Sequence, residues 1–468
     1  MTGSGTAQRD QAGAAGAAGV LAAIVGERLA STVQFSGVGA LPSVYRVTDL
    51  AAAAVASAGL AVSELLGANE TGTRPQGAPA VSVDRRLASL WFGSSLRPIG
   101  WEPPPSWDAI AGDYEASDGW LRLHTNVPAH RAAALSVLGV AADRGLVSEA
   151  VAAWRAAELE AAVIAAGGCA AVMRSPQAWA ESAAGRSVAA EPLVRVEPGT
   201  AGPRSSPAPD PARPLAGVRV LDLTRVLAGP VATRFLALLG ADVLRIDPPW
   251  WDEPGLVPDV GLGKRSARLD LRRSADYERC IGLIAEADVL IHGYRPGALD
   301  GLGLDPATRA RARPGLAEVA LTAYGSTGPF AARRGFDSLV QMSTGIAETG
   351  MRELGRDRPT PLPVQALDHA TGYLMAAAAI RAIAEQRRAG HGTRATLSLA
   401  RTASLLARAA PTDDTASLLP ETAEDLAPGV EHTAWGQARR LRAPLTVSGV
   451  SFSTDRPARP LGSDPASW

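Results

Sequence analysis

The turn Leu223-Thr224-Arg225-Val226-Leu227-Ala228-Gly229-Pro230 follows a strand-like run and opens an apolar helical one, so the free N–H groups of that helix start could face an anion. Lys264 is the one lysine in a chain that otherwise carries arginine as its fixed cation, a bias that GC-rich coding explains, so rarity alone gives it no role. Two aspartates, Asp49 and Asp368, each stand ahead of a long Ala-rich run, where a carboxylate can cap a helix. Cys169 and Cys280 are far apart and follow neither metal-ligand nor redox spacing, so neither is a nucleophile candidate and no metal is expected. There is no Walker A loop, no H-E-x-x-H, no G-x-S-x-G and no dinucleotide fingerprint after the first strand of this region, which sets several large enzyme classes aside.

The elements that must position these residues are legible as alternating periods. Gly217 to Leu223 alternates as a strand, Val231 to Leu239 is an apolar helical run, and Asp242 to Ile246 is a second strand, a βαβ unit of about 30 residues. A helix at Tyr277 to Ala287, a strand at Asp288 to His292 and another at Ala317 to Ala323 continue the alternation, as in a parallel sheet covered on both faces. Asp368 leads into a helix from His369 to Arg388, which stops at Gly390 and Gly392 before a strand at Ala395 to Leu399. The same pattern occurs earlier: Asp49, a helix from Leu50 to Leu66, Gly67, then the strand-like Ala80 to Val83. Leu87-Ala88-Ser89-Leu90 echoes Thr402-Ala403-Ser404-Leu405, and the pair reads as one duplicated unit. Between the copies, Gly112 to Thr125 forms a hairpin turning at Asp118-Gly119, followed by helices at Val127 to Leu138, Val147 to Ala153 and Glu158 to Ala166.

At 468 residues the chain should hold two or three domains. Lys and Arg number 46 against 47 Asp and Glu, so no overall field attracts nucleic acid or an anionic membrane, and neither is expected as a partner. The apolar run Ala12 to Val25 has no net positive charge before it and reads as a helix rather than a signal peptide. The run around Leu374 to Ala384 contains Arg381 and is too short to span a bilayer, so no transmembrane segment is expected. Cysteine usage fits a reducing cytoplasm. Pro198 to Pro214 carries six prolines among Gly, Ser and Ala and reads as a linker.

Taken together and in order, these pieces resemble the class III (CaiB/BaiF, formyl-CoA transferase-like) CoA-transferases. Pro214-Leu215-Ala216-Gly217 leading into V-R-V-L-D-L-T, A-G-P and L-G-A-D-V-L-R-I-D-P-P is similar to the family's opening. Gly263 to Leu271, Asp288 to Gly303, Thr322 to Phe330 and Gly335 to Gln341 (G-F-D-S-L-V-Q) are similar to the motifs that follow it, and the resemblance is dense from Pro214 to about Ala407. It implies an α/β fold with a Rossmann-like parallel-sheet CoA-binding domain, a smaller α+β domain and an interlocked homodimer. In that family the catalytic carboxylate is the Asp just before the long helix that follows G-x-D-x-x-x-Q, which is Asp368 here. Its attack on an acyl-CoA thioester would give a mixed anhydride, then an enzyme thioester, and the acceptor acid would leave as a new thioester. The resemblance further implies that Leu227 and Ala228 touch CoA, that Lys264 and Arg265 lie near its phosphates, that Gly293, Tyr294 and Arg295 line its adenosine side, and that Tyr324 and Gly325 approach the thioester arm. Acyl-CoA and a carboxylic acid are then substrates, and no cofactor is held permanently.

The chain also departs from the family. Leu227 stands where relatives often carry Gln or His, and Gly301 where they carry Arg; Phe336 replaces the His that precedes the Asp of the G-x-D motif in the racemases. Gly112-Asp113-Tyr114 with Asp118-Gly119-Trp120 resembles the family's smaller domain and Trp154 to Val172 its closing helical region, yet both precede the Rossmann-like part. The expected division is therefore an N-terminal portion at 1–197 with the first helix copy and small domain, a linker at 198–214, the Rossmann-like domain at 215–410 and a Pro-rich segment at 411–468. CoA transfer between carboxylic acids is the leading expectation. An acyl-CoA racemase or lyase on the same fold, and a non-catalytic acyl-CoA-binding subunit, are the alternatives.

Overall fold

The computed structural model describes residues 3–67, 77–203, 210–409 and 416–468, with side chains from residue 11 onward. Its centre is a seven-stranded sheet of β1 (Val194–Ala201), β2 (Arg219–Leu223), β3 (Asp242–Asp247), β4 (Lys264–Arg268), β5 (Val289–His292), β6 (Ala317–Thr322) and β7 (His391–Ser398). The order is β4-β3-β2-β5-β6-β7-β1, and every pairing is parallel except that of β1 with β7. All four residues of β5 are buried, as a strand covered on both faces must be. From β2 the chain proceeds outward to β3 and β4, then returns to lay β5 on the other side of β2. Such a reversal opens a crevice beyond the carboxyl ends of the two central strands.

The Pro-rich linker is shorter than its composition implies. Pro198 to Ala201 complete β1, with Pro198 opposite Thr393, which is possible because β1 is an edge strand and the missing N–H breaks no central ladder. Residues 204–209 of that stretch lie outside the described residues.

Five helices matter for the site: α1 (Val47–Gly67), α2 (Ala228–Leu238), α3 (Asp337–Ser343), α4 (Ala366–Ala389) and α5 (Leu399–Arg408). α4 packs on β6 and β7 and between α1 and α2, and its Ala376 to Ala379 keep the axes close. Leu374, Ile380 and Ile383 are nearly fully buried there, each stabilising the fold by roughly 1.5–3 kcal/mol before chain entropy is counted. Across the far ends of the pair, Arg381 donates to Glu64 at 2.8 Å. By length and composition α1 would suffice to cross a membrane, yet most of it is buried within this core.

The two Ala-rich units are built alike. α1 leads to the strand Val81–Asp84 and the helix Arg85–Trp91, just as α4 leads to β7 and α5. In both, the last strand residue caps the next helix: Asp84 accepts from the Leu87 N–H at 2.9 Å and Ser398 from the Arg401 N–H at 3.2 Å. One expectation needs correction, since neither Asp49 nor Asp368 is a cap. Each is the third residue of its helix, which begins at Val47 or Ala366.

The α+β region consists of the hairpin Gly112–Ala116/Gly119–Leu123, a third strand at Ala170–Val172 and three helices around Leu121, Leu123, Val147 and Leu159. Cys169 and Ala171 pack against Leu339 and Met342 of α3, which fixes this region beside the sheet's carboxyl edge. The C-terminal segment is woven in as well: Gly436–Arg440 pairs with Leu96–Pro98, and Leu445–Val447 with Val81–Val83.

Candidate active site

A cavity of about 450 Å³ occupies the crevice at the carboxyl ends of β2, β5 and β6. Leu223 to Val226 and Ala228 reach it from the turn into α2, Gly293, Tyr294 and Arg295 from the end of β5, and Thr322 and Ala323 from the end of β6. Arg333 to Phe336 enter from the loop before α3, Asp368 from α4 and His130 from the small α+β region. Asp368 is the one acidic side chain among these lining residues.

The G-F-D-S-L-V-Q motif sets the position of Asp368. Asp337, fully buried on α3, accepts from the backbone N–H groups of Leu367 at 2.9 Å and Asp368 at 3.0 Å, so it caps α4 from outside that helix. Gln341, one turn later, donates to the other Asp337 oxygen at 2.5 Å and accepts from the Leu362 N–H at 2.7 Å, tying the approach loop to the same helix. The Asp368 carboxyl itself makes no hydrogen bond or ion pair among the described residues and is only 7% exposed. Burial and the charge of Asp337 raise its pKa well above the usual carboxylate range. Burial also lifts Asp337, to about 6, but its amide donors favour its charged form, so Asp337 ionises first and Asp368 last. Asp49, the corresponding residue of α1, has the opposite surroundings: Arg85 donates to it at 2.8 Å and Arg46 at 3.3 Å.

The β2–α2 turn closes against α4. A Cβ added at Gly372 would lie 2.5 Å from the Ala228 carbonyl oxygen, so glycine there brings the start of α2 against α4 one turn beyond Asp368, and one at Gly229 would lie 2.2 Å from Thr224, so glycine there lets the turn itself close. Asp222, at the end of β2, holds the turn from below, accepting from the Thr224 hydroxyl at 2.5 Å and the Thr233 hydroxyl at 2.5 Å.

Of the residues expected at a CoA site, Ala228, Gly293, Tyr294, Arg295 and Asp368 meet in this cavity. Leu227 is the cap position of α2 and is buried in the core rather than on the cavity. The Tyr324 hydroxyl is buried against the Ser343 hydroxyl at 3.0 Å, beneath the cavity wall. Gly325 has φ 89° and packs on the carboxylate of Glu191, which accepts from the neighbouring Ser326 and Thr327 N–H groups at 2.9 and 3.0 Å. Arg265 forks onto Asp242 at 3.0 and 2.6 Å, on the outer strand.

Lys264 needs the plainest correction. Its ammonium is buried under α2, donating to the Pro230 carbonyl at 2.9 Å and to Asp222 at 3.3 Å, and it does not line the cavity. Burial pushes it down to about 8 against the pull of Asp222. Lys264→Ala is accordingly expected to leave CoA affinity unchanged in calorimetric titration while costing roughly 3–5 kcal/mol in denaturant melts, because the Asp222 charge stays buried without its cation. Weakened CoA binding with undiminished stability would contradict this placement.

Several lining residues escaped the sequence reading. Arg225 lies between the rings of Trp251 at 5.0 Å and Tyr294 at 5.1 Å and donates to the Tyr294 hydroxyl at 2.8 Å, a stacked guanidinium on the cavity wall. His130 is held near 4 by burial and by Arg334 and Arg295, so it is neutral at ordinary pH. His124 does not line the cavity but stacks on Phe336, which does, at 3.7 Å. For Arg225, its place inside the T-R-V-L-A-G turn was a usable signal; for the two histidines, far upstream in sequence, there was none.

Part of the chain is similar in sequence to known proteins. Residues 215–442 match the family model described as CoA-transferase family III. An acyl-CoA transferase of Gibberella moniliformis is 32% identical over 253 residues, covering 50% of this chain and 44% of that protein. A Mycobacterium tuberculosis protein named as a probable fatty acyl-CoA transferase is 34% identical over 198 residues, 39% of this chain and 50% of that one. A crystal structure of a CaiB/BaiF family protein from Brucella suis aligns with TM-score 0.37 and 28% identity, over 48% of this chain and 65% of that chain. The chain spans about half the length of the curated relatives it matches. Residues 215–442, where the βαβ unit, the G-F-D-S-L-V-Q cap and Asp368 all lie, are thus similar to CoA-transferase family III.

Proposed function

We propose that this protein is an enzyme that moves CoA between carboxylic acids, with Asp368 as its covalent carrier. The observation that carries the reading is the state of that side chain: a buried carboxyl without a cation or hydrogen-bond donor, on the wall of the crevice where an α/β sheet binds ligands. Acylation removes its charge, so the surroundings that disfavour the carboxylate favour every covalent state of the cycle.

In the cycle, an Asp368 oxygen attacks the thioester carbonyl of the donor, forming a mixed anhydride and expelling CoA thiolate. The thiolate returns to the Asp368 carbonyl of the anhydride, releasing the first acid and leaving CoA as a thioester on Asp368. The acceptor carboxylate attacks that carbonyl, giving a second anhydride and freeing the thiolate again. Attack of the thiolate on the acceptor carbonyl yields the new acyl-CoA and restores the Asp368 carboxylate. Arg225, Arg295 and Arg334 supply the positive charge that CoA phosphates require at this cavity. A homodimer and a cytoplasmic, reducing setting go with the same reading, the latter supported by two cysteines that are both free and buried.

The test is to incubate the protein with a panel of acyl-CoAs and isotopically labelled free acids and to follow the label into thioester by mass. Exchange is expected for at least one pair. Scrambling of the α-carbon configuration without exchange would instead point to His130 and Asp368 as a proton-shuttling pair. Binding without either reaction would make the chain an acyl-CoA-binding subunit.

A further inference from the structure

We infer that Glu253 is a positioning residue for the transfer reaction: its carboxylate holds the β2–α2 turn in the conformation that shapes the cavity beside Asp368. This inference rests on the transferase reading. Val226, at the centre of that turn, has φ 66° and is the one non-glycine residue with positive φ among the described residues. A β-branched side chain is poorly suited to that region, so something must hold it there, and such outliers gather at working sites. Its N–H donates to Glu253 Oε1 at 2.5 Å.

The carboxylate is itself fixed from behind. Its second oxygen accepts from Arg245 Nη2 at 2.6 Å, and Arg245 is locked onto Asp247 at 2.7 and 3.0 Å. Arg245 and Glu253 are both almost fully buried, so the clamp is anchored in the interior rather than tethered through solvent. Glu253 is also held through its own backbone, since its carbonyl accepts from the Leu256 and Val257 N–H groups, each at 3.0 Å. A rigid anchor therefore reaches the peptide of Val226, a residue of the cavity wall. Two residues further on, Ala228 meets Gly372 one turn beyond Asp368. Glu253 does not line the cavity, so its effect on chemistry passes through the turn.

The experiment separates reach from charge. Glu253→Asp keeps the negative partner of Arg245 but withdraws the carboxylate by one methylene from the Val226 N–H. It is expected to lower kcat for exchange about 10- to 100-fold, the scale of a misplacement of about 1 Å, with KM for acyl-CoA within about twofold of the parent. Adding Val226→Gly to Glu253→Asp is expected to restore most of kcat, because glycine takes positive φ without a clamp. Parental kcat in Glu253→Asp would overturn the inference. So would a loss that Val226→Gly does not relieve, since that is the signature of a structural ion pair alone. Should Glu253→Asp fail to fold, Glu253→Gln with and without Val226→Gly puts the same question, and absence of relief by glycine again overturns it. A parent protein without exchange would overturn the transferase reading itself.

Discussion

Asp368→Asn is expected to abolish CoA exchange, lowering the rate by at least about 10⁴-fold, and at the same time to make the protein more stable at neutral pH. The loss follows from the chemistry, because an amide cannot form the anhydride. The gain follows from linkage. Burial and the Asp337 charge make the folded protein hold the Asp368 proton more tightly than the unfolded chain does. Between the ordinary carboxyl pKa of about 4 and the raised folded value, the unfolded chain is ionised while the folded one is not, and folding is penalised. Below about pH 4 both states are protonated and the penalty vanishes. Melting curves should therefore show the advantage of Asp368→Asn growing from acid toward neutral pH, and the parental exchange rate should rise with pH to a midpoint above the usual carboxylate range. A substitution that destabilised the protein at neutral pH would mean that the carboxyl is paired in the native state. That would remove the argument for a poised nucleophile.

Asp337→Ala should be nearly as damaging by a different route. It strips the acceptor from the Leu367 and Asp368 N–H groups and from the Gln341 amide, all buried. The stability cost is expected to be on the order of 3 kcal/mol, and kcat should fall at least about 100-fold as the first turn of α4 loses its anchor. Asp337→Asn removes the charge and keeps one acceptor oxygen for the Leu367 and Asp368 N–H groups, though its amide NH2 then faces the Gln341 donor; it should move the pH midpoint of exchange downward, toward an ordinary carboxyl, with a smaller loss of kcat than Asp337→Ala. If both variants kept the parental rate and midpoint, the motif would have no part in setting Asp368.

Much of this site could be read from the sequence because its parts are local. The strand at Arg219–Leu223, the helix after Ala228-Gly229-Pro230 and the G-F-D-S-L-V-Q stretch carry their periodicity and turn residues in short windows, and Asp368 is singled out by the family resemblance that these stretches carry. What was missed is set by direction or by distance. Lys264 is rare in composition, but rarity does not say which side of a strand an ammonium faces, and on β4 it turns inward to Asp222. Asp368 looked like a helix cap because Asp is a common one; the capping group is Asp337, whose contact with the start of α4 is made across 30 residues of chain that include another helix. His130 reaches the cavity from a region that precedes the sheet in sequence, and no residue pattern announces a docking of that range. Val226 is the least legible, since valine is the residue type from which positive φ is least expected. Only the buried carboxylate of Glu253 accounts for it.

The central claim is that one of two similarly placed aspartates carries acyl groups and CoA. Asp49 occupies the same helical position as Asp368 but is neutralised by Arg85 and Arg46, which lowers its reactivity as a nucleophile and leaves nothing to gain from acylation. The direct measurement is to supply acyl-CoA, quench with hydroxylamine and map the modified residue by peptide mass spectrometry. Both the anhydride and the thioester should be captured as an aspartyl hydroxamate at Asp368, with Asp49 unmodified. Hydroxamate at Asp49, or turnover with no label at Asp368, would contradict the account.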